Sequence, residues 1–181
     1  MLIWWVVVHV VGAVLGAGAA TVNDVLFMRA IGSQTEGEAY RRYSQTLSLV
    51  AWIGVVLIAI SAFAFWRIRP EFFLSQKVQL KLWLSVFVAL NGIAMNIVLG
   101  SRVNAMKPAD WQLANKLSWA MFPGAVLGGI SAVTWYTLLL LGAVGRVDWT
   151  AMQILPWYGA ALLGAWITGT LTVKYRLQSM K

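Results

Sequence analysis

The sequence contains five apolar stretches, each long enough to cross a lipid bilayer as a helix. About 20 predominantly apolar residues are needed to span the ~30 Å hydrocarbon layer of a membrane. The stretches are Leu2–Val22, Leu47–Trp66, Val78–Leu99, Leu117–Ala143 and Leu155–Val173. They predict an all-α fold, an integral membrane bundle of five transmembrane helices that forms a single transmembrane domain over residues 1–181. The predicted helices cover residues 2–31, 44–66, 77–100, 117–143 and 155–174.

The composition is typical of a membrane protein and argues against other classes. Hydrophobic residues make up 60% of the 181 residues and charged residues only 11%, whereas soluble domains have about 25% charged residues. The net charge of +8 belongs to residues at the ends of the apolar stretches, which is a topology signal. We therefore expect the lipid bilayer as a partner and no nucleic acid. Because the chain has no cysteine, disulfides, thiolate metal sites and a thiol nucleophile are excluded.

The basic residues are divided unequally between the two sides of the predicted bundle. Nine of the 14 Lys and Arg residues follow the first, third and fifth stretches, namely Arg29, Arg41, Arg42, Arg102, Lys107, Lys116, Lys174, Arg176 and Lys181. The other five are Arg67, Arg69, Lys77, Lys81 and Arg146. Basic residues accumulate on the cytoplasmic side of membrane proteins. The balance predicts an N-terminus outside and a C-terminus inside, in a multi-pass protein of the inner (cytoplasmic) membrane.

Small residues at four-residue spacing indicate where helices pack closely, because they let two backbones approach each other within the membrane. These residues are Gly12, Gly16, Gly124, Gly128, Ala161, Ala165 and Gly169. They are compatible with packing inside the chain, with membrane-protein partners or with a homo-oligomer. The second segment lacks such a ridge and also lacks charge, so we expect it to face lipid.

Polar residues inside a membrane segment are costly, so each of them needs an explanation. On a helical projection of the first segment, His9 and Asn23 share one face and Asp24 lies at its margin, so this face is expected to point into the bundle. Lys81 begins the third segment at a depth similar to that of His9, and the two side chains can meet. Asp24 is expected to form a pair with Arg29, to cap the helix or to anchor it at the inner interface.

Two interpretations of these residues stay open. His9 is a candidate ligand of haem iron or copper, or a proton-transfer group; alternatively, it is a neutral imidazole bonded to a neighbouring helix. Lys81 is its functional companion or reaches the outer headgroups. Met95 is a soft metal ligand or fills a gap in the packing. Asn91 and Asn96 are expected to form hydrogen bonds between helices. Haem b or copper is thus a possible cofactor, and the identity of any metal stays unknown.

The first segment resembles the first helix of a group of uncharacterised bacterial integral membrane proteins. The shared features are a histidine at His9, a glycine-rich stretch after it, and Asp24 ahead of a basic residue. The similarity extends to Lys81 and Asn91-Gly92 in the third segment, and to residues 131–136 in the fourth. The group implies a polytopic membrane fold and no assigned activity.

More remotely, the first three segments are similar to the copper-resistance D family and to the haem-containing membrane protoporphyrinogen oxidase. Both have a first helix of the His-x-x-Gly type, and the oxidase has a lysine at the start of its third helix. This resemblance implies that His9 is a haem or metal ligand and that Lys81 is its companion. The chain departs from the oxidase at Asn91, where the oxidase has a histidine.

Three classes of function follow from the sequence. The first in order is a structural or accessory subunit of a membrane complex, which requires no special role for the polar residues. The second is a redox membrane protein that binds haem or copper through His9. The third is a small transporter or channel whose path follows the face from His9 to Asn23. Because the chain lacks phosphate-binding, serine-hydrolase and zinc-protease motifs, we lean towards a protein that is not an enzyme.

Overall fold

The computed structural model describes residues 2–144 and 150–179. Arg146 and Lys181, which enter the charge balance, lie outside this part of the chain. The long helices are α1 (Leu2–Ala30), α2 (Gln34–Ile68), α3 (Gln76–Met95), α5 (Ala114–Ala143) and α6 (Ala151–Gln178), and the short helix α4 covers Ser101–Ala105. Within the described residues there is no β-strand. Five helices are long and apolar enough to cross a membrane, when α3 to α4 is counted as one of them. The predicted all-α fold is therefore confirmed.

Helix α2 begins at Gln34, upstream of the predicted start at residue 44. Gly32 has a positive φ of 85°, which allows a tight turn directly after α1. The hydroxyl of Ser33 then accepts a hydrogen bond from the backbone N–H of Glu36 and caps the helix. With 35 residues, α2 is about 52 Å long. Its first three turns therefore extend beyond a ~30 Å hydrocarbon layer.

The third membrane segment is not one regular helix. Helix α3 ends at Met95, the segment Asn96–Gly100 is π-helical, and α4 completes the path to Ala105. Single π-helical turns are rare in proteins as a whole, but many of those that occur lie at functional sites. A 3₁₀ turn over Pro108–Gln112 then leads to α5. The third segment, predicted over residues 77–100, is thus longer than predicted and departs from a regular α-helix near its C-terminal end.

Helices α1 and α2 pack extensively against each other, and their backbones come close together at Gly12 and Gly54. A Cβ atom added to Gly54 would lie 2.6 Å from the carbonyl oxygen of Gly12. The expectation that the second segment faces lipid is therefore wrong for this side of α2. One glycine on each of the two facing helices is enough for this close approach, so α2 needs no series of small residues at four-residue spacing.

The other predicted small residues leave room for specific neighbours. Gly16 and Gly124 accommodate the rings of Trp135 and Phe27, and Gly128 accommodates the carboxyl group of Asp24. On α6, Ala165 contacts Gly129 and Gly169 contacts Ala125, whereas Ala161 is exposed. Most of this set thus packs helices inside the chain.

The largest apolar cluster lies at the end of the bundle where α1 ends and α2 begins. At its centre, Phe27, Tyr40 and Trp111 form two edge-to-face ring contacts. Trp111 is 1% exposed and occupies the space left by Gly37. These three rings, called the aromatic floor below, join α1, α2 and the 3₁₀ turn before α5.

The Gly12–Gly54 contact predicts a stability difference between two glycine variants. Gly54→Ala should lower the free energy of unfolding by about 1–3 kcal/mol, because the new methyl group meets backbone atoms that cannot move aside. Gly18→Ala, where nothing lies within 4 Å, should stay within ~0.5 kcal/mol of the wild type. Unfolding in mixed dodecyl maltoside–SDS micelles, followed by circular dichroism, measures both values. Equal midpoints for the two variants would contradict the contact.

Candidate functional site

The polar residues singled out in the sequence fall into two groups at different depths of the bundle. His9 and Lys81 lie in the half that contains the start of α1 and the end of α2. Asn23 and Asp24 are 14 or more residues further along α1, which corresponds to at least about 21 Å. The face from His9 to Asn23 is therefore not one continuous path, and each group is a separate candidate site.

A cavity of about 210 Å³ lies around the second group. Residues of α1 and α5 line one side of the cavity. Residues of α2, α3, the π-helical turn and α4 line the other side. Its mouth, near Ser44, Gln45 and Asn104, lies at the end of the bundle that carries the aromatic floor. Gln45 and Asn104 are exposed. The cavity therefore opens at the predicted cytoplasmic end of the bundle.

The mouth and the middle of the cavity are polar. Asn23, Asp24, Ser48 and Asn96 line this part. Asp24 is half-buried and has no hydrogen-bond or ion-pair partner within the described residues. The pair with Arg29, one of the three expected roles, is not formed, and the cap and the interface anchor stay predictions. Asp24 instead turns towards α5, where the missing side chain of Gly128 leaves space for its carboxyl group.

Asn23 joins this carboxyl group to the aromatic floor. Its side chain interacts with the hydroxyl group of Tyr40, which also lies near the carboxyl group of Asp24. The amide oxygen of Asn23 is buried and has no hydrogen-bond partner within the described part of the chain. Buried polar atoms are almost always paired in proteins, so this unpaired oxygen requires an explanation.

The deeper end of the cavity is apolar and aromatic. Trp52 and Trp135 line it, together with Val55, Val88 and Ala89. The ring of Trp52 reaches across from α2 to Gly92 of α3. One helical turn closer to the mouth, the hydroxyl of Ser48 donates a hydrogen bond of 3.1 Å to the amide oxygen of Asn96. These two contacts bridge α2 and α3, which otherwise touch little.

His9, in the first group, forms a hydrogen bond with the neighbouring helix α2. This agrees with the interpretation of His9 as a neutral imidazole bonded to another helix. Its Nδ1 lies 2.8 Å from the hydroxyl of Ser61, and its ring is 5.7 Å from that of Phe65. The Ser61 hydroxyl donates its only hydrogen to the carbonyl of Ile58, so it must accept one from His9 Nδ1–H. Nε2 of the neutral ring therefore keeps a free lone pair.

The remaining predicted site residues lie in different surroundings. Lys81 is close enough for its charge to act on His9, and its Nζ lies beside Gly142 of α5. Met95 lines the cavity and packs against the cluster that contains Phe27. Because Phe27 and His9 are far apart along α1, Met95 is also far from His9. Asn91 donates a hydrogen bond of 2.9 Å to the carbonyl of Leu127 and so joins α3 to α5.

These positions do not fit the haem or copper site that the remote resemblance implies. Copper needs several nitrogen or sulfur ligands, and His9 and Met95 are too far apart to share one ion. No group of three or more His, Cys, Asp or Glu residues forms a metal site in the described chain. The cavity around Asp24 is not lined by His9, so it is not the slot of a porphyrin whose axial ligand is His9.

The comparisons with known proteins add no relative. No family model, curated protein or solved structure matches the chain. The resemblances drawn from short motifs therefore stay predictions, and the site is judged by its own geometry.

Sequence reasoning identified three polar residues of the cavity, Asn23, Asp24 and Asn96, and also Met95, but missed much of the rest. The missed residues are Tyr40, Ser44, Gln45, Ser48, Trp52, Ser131 and Trp135. One signal was available: Tyr40, Ser44 and Ser48 recur every four residues along one face of the same helix. The predicted start of the second segment at residue 44 left Tyr40 outside the helix and so hid this spacing.

The His9–Ser61 contact predicts a measurable coupling. In a double-mutant cycle of His9→Leu and Ser61→Ala, the coupling energy should be about 0.6 kcal/mol, the average for hydrogen bonds between membrane helices. The control cycle replaces Ser61→Ala with Ser85→Ala, because Ser85 bonds only within its own helix, to the carbonyl of Lys81. Unfolding free energies in mixed micelles give both values. Equal coupling in the two cycles would contradict a specific His9–Ser61 bond.

Proposed function

We propose that the protein is a small membrane transporter whose substrate occupies the cavity between α1, α2, α3 and α5. The single observation that supports this most is the form of the cavity, with a polar mouth, an unpaired carboxyl group in the middle and an apolar end. Ligand sites in proteins are concave and mostly apolar, with a few polar groups that fix the orientation of the ligand. This cavity has those properties, whereas a subunit that only packs has no need for them.

The closed end of the cavity favours a transporter over a channel. A channel requires a continuous polar path across the membrane. Beyond the deeper end of the cavity, the Trp135 ring packs into the space at Gly16. One turn further from the mouth, Gly12 contacts Gly54. The path therefore stops about halfway, as in a transporter that is open to one side only.

The proposal places the mouth of the cavity on the cytoplasmic side of the inner membrane. It follows from the positive-inside rule, with the N-terminus outside and the C-terminus inside. Within the described residues, Arg29, Arg41, Arg42 and Arg102 belong to the end of the bundle that carries the mouth. A substrate would then enter or leave the cavity from the cytoplasm.

Cysteine labelling tests both the cavity and the orientation, and the natural chain contains no cysteine to interfere. Ala51 lines the cavity, whereas Ile53, at nearly the same depth, is 45% exposed on the outer surface. A small water-soluble methanethiosulfonate should modify Ala51→Cys at least about tenfold faster than Ile53→Cys, because only a hydrated thiol ionises and reacts. Modification should occur in inside-out vesicles and not in right-side-out vesicles.

The two comparisons separate the two parts of the proposal. Equal rates for Ala51→Cys and Ile53→Cys would contradict a water-filled cavity and hence the transporter. Selective modification of Ala51→Cys in right-side-out vesicles alone would retain the cavity and reverse the orientation.

A second candidate is the accessory subunit of a membrane complex, and the position of α6 favours it. This helix packs mainly against α5, and only 6% of its most apolar window is buried inside the chain. Leu163 and Leu171 are 58% and 59% exposed on its outer surface. A partner helix packed on this side would bury these side chains, and lipid is the alternative that the next experiment tests.

Bulky substitutions distinguish a partner from lipid. Leu163→Trp and Leu171→Trp should abolish co-purification with a partner or second copy in mild detergent, because a packed helix interface has no room for the larger rings. Val56→Trp on the exposed side of α2 is the control. Native mass spectrometry showing the same single chain for all variants would contradict the accessory role.

A further inference from the structure

We propose that the substrate of the cavity is an organic cation with an apolar part, held by the carboxyl group of Asp24 and by the rings of Trp52 and Trp135. This inference rests on the proposed function, since it names the chemical class that the cavity would bind. It follows from the charge distribution around the cavity and from the position of the aromatic rings.

The charge of the cavity is opposite to that of the whole protein. The chain carries 14 basic and six acidic residues, but no Lys, Arg or His of the described chain lines the cavity. Asp24 is the acidic residue of the lining, and no cation of the described residues pairs with it. A half-buried carboxylate is stabilised by a nearby positive charge. A ligand cation supplies that charge, whereas an anion would be repelled.

The hydrogen-bonding groups around Asp24 agree with this charge. The amide oxygen of Asn23 is enclosed next to the cavity and has no hydrogen-bond partner among the described residues, and Ser131 also lines the cavity. The amide oxygen of Asn96 already accepts a bond from Ser48, so the carboxyl oxygens of Asp24 and the hydroxyl of Ser131 are the side-chain acceptors left in this part of the lining. Oxygen acceptors and a carboxylate together suit a positively charged group.

The two tryptophans explain why the cation should carry an apolar part. Trp52 reaches across from α2 to Gly92, and Trp135 is fixed in the space at Gly16. Both rings line the deeper end of the same cavity as Asp24. The face of an indole ring attracts a cation, and its area favours apolar groups. A ligand with its charge at Asp24 and its apolar part between the rings would use both ends of the cavity.

An isosteric pair of probes tests the proposal on the full-length protein in lipid nanodiscs. The cation is 3-hydroxyphenyltrimethylammonium, and the neutral probe is 3-tert-butylphenol, which has carbon in place of the charged nitrogen. Calorimetric titration, with empty nanodiscs as the blank for partition into lipid, gives the two dissociation constants. The cation should bind at least about tenfold more tightly, because the carboxylate adds a charge interaction.

Two charge-neutralising variants show whether Asp24 is the cause. Asp24→Asn should weaken binding of the cation about tenfold or more and leave binding of the neutral probe within about twofold. Unchanged binding of the neutral probe also shows that the variant is folded. Glu38→Gln, an exposed position of α2 at the same end of the bundle, removes the same charge outside the cavity and should leave both constants unchanged.

The outcomes separate this inference from the proposed function. If both probes bind the wild type equally well, or if Asp24→Asn binds the cation as the wild type does, the cation proposal is overturned and the cavity keeps its ligand-binding role. If neither probe binds and neither slows the modification of Ala51→Cys, the cation proposal and the transporter proposal are both overturned.

Discussion

The close contact between Gly12 and Gly54 fixes how α1 and α2 are aligned, and the rest of the bundle depends on this alignment. Apolar side chains gain little by leaving lipid for another helix, so a membrane bundle is held by close backbone packing and by polar contacts. Once the two glycines face each other, Ser61 comes opposite His9. The same alignment places the polar start of α2 beside Asn23 and Asp24.

Around the cavity, this alignment leaves polar groups without partners among the described residues. Other polar side chains inside the bundle are bonded: His9 with Ser61, Asn91 with Leu127, and Thr134 with Tyr158. Around the cavity, the carboxyl group of Asp24 and the amide oxygen of Asn23 have no such partners among the described residues. Unpaired groups inside a membrane are costly, and under the proposed function the ligand would be the partner of the Asp24 carboxyl group.

The candidate sites differ in how far the sequence predicted them. Asn23 and Asp24 were predicted because a polar pair near the end of an apolar helix is conspicuous in any membrane segment. The single histidine drew attention to His9 for the same reason, but its hydroxyl partner lies 52 residues away. Ser61 alone in an apolar stretch carries no sign of that pairing. Tyr40, Trp52 and Trp135 were missed because aromatic residues are common in membrane helices.

The sequence by itself determined that the chain forms five membrane helices, because the length and apolarity of a segment decide whether it spans a bilayer. It also determined which residues are polar within them. Only the tertiary structure decided which of these residues meet, that α2 packs on α1, and that the third segment changes to a π-helical turn beside the cavity. The physical reason is that apolarity depends on each segment alone, whereas a cavity depends on how several helices are aligned and rotated against one another.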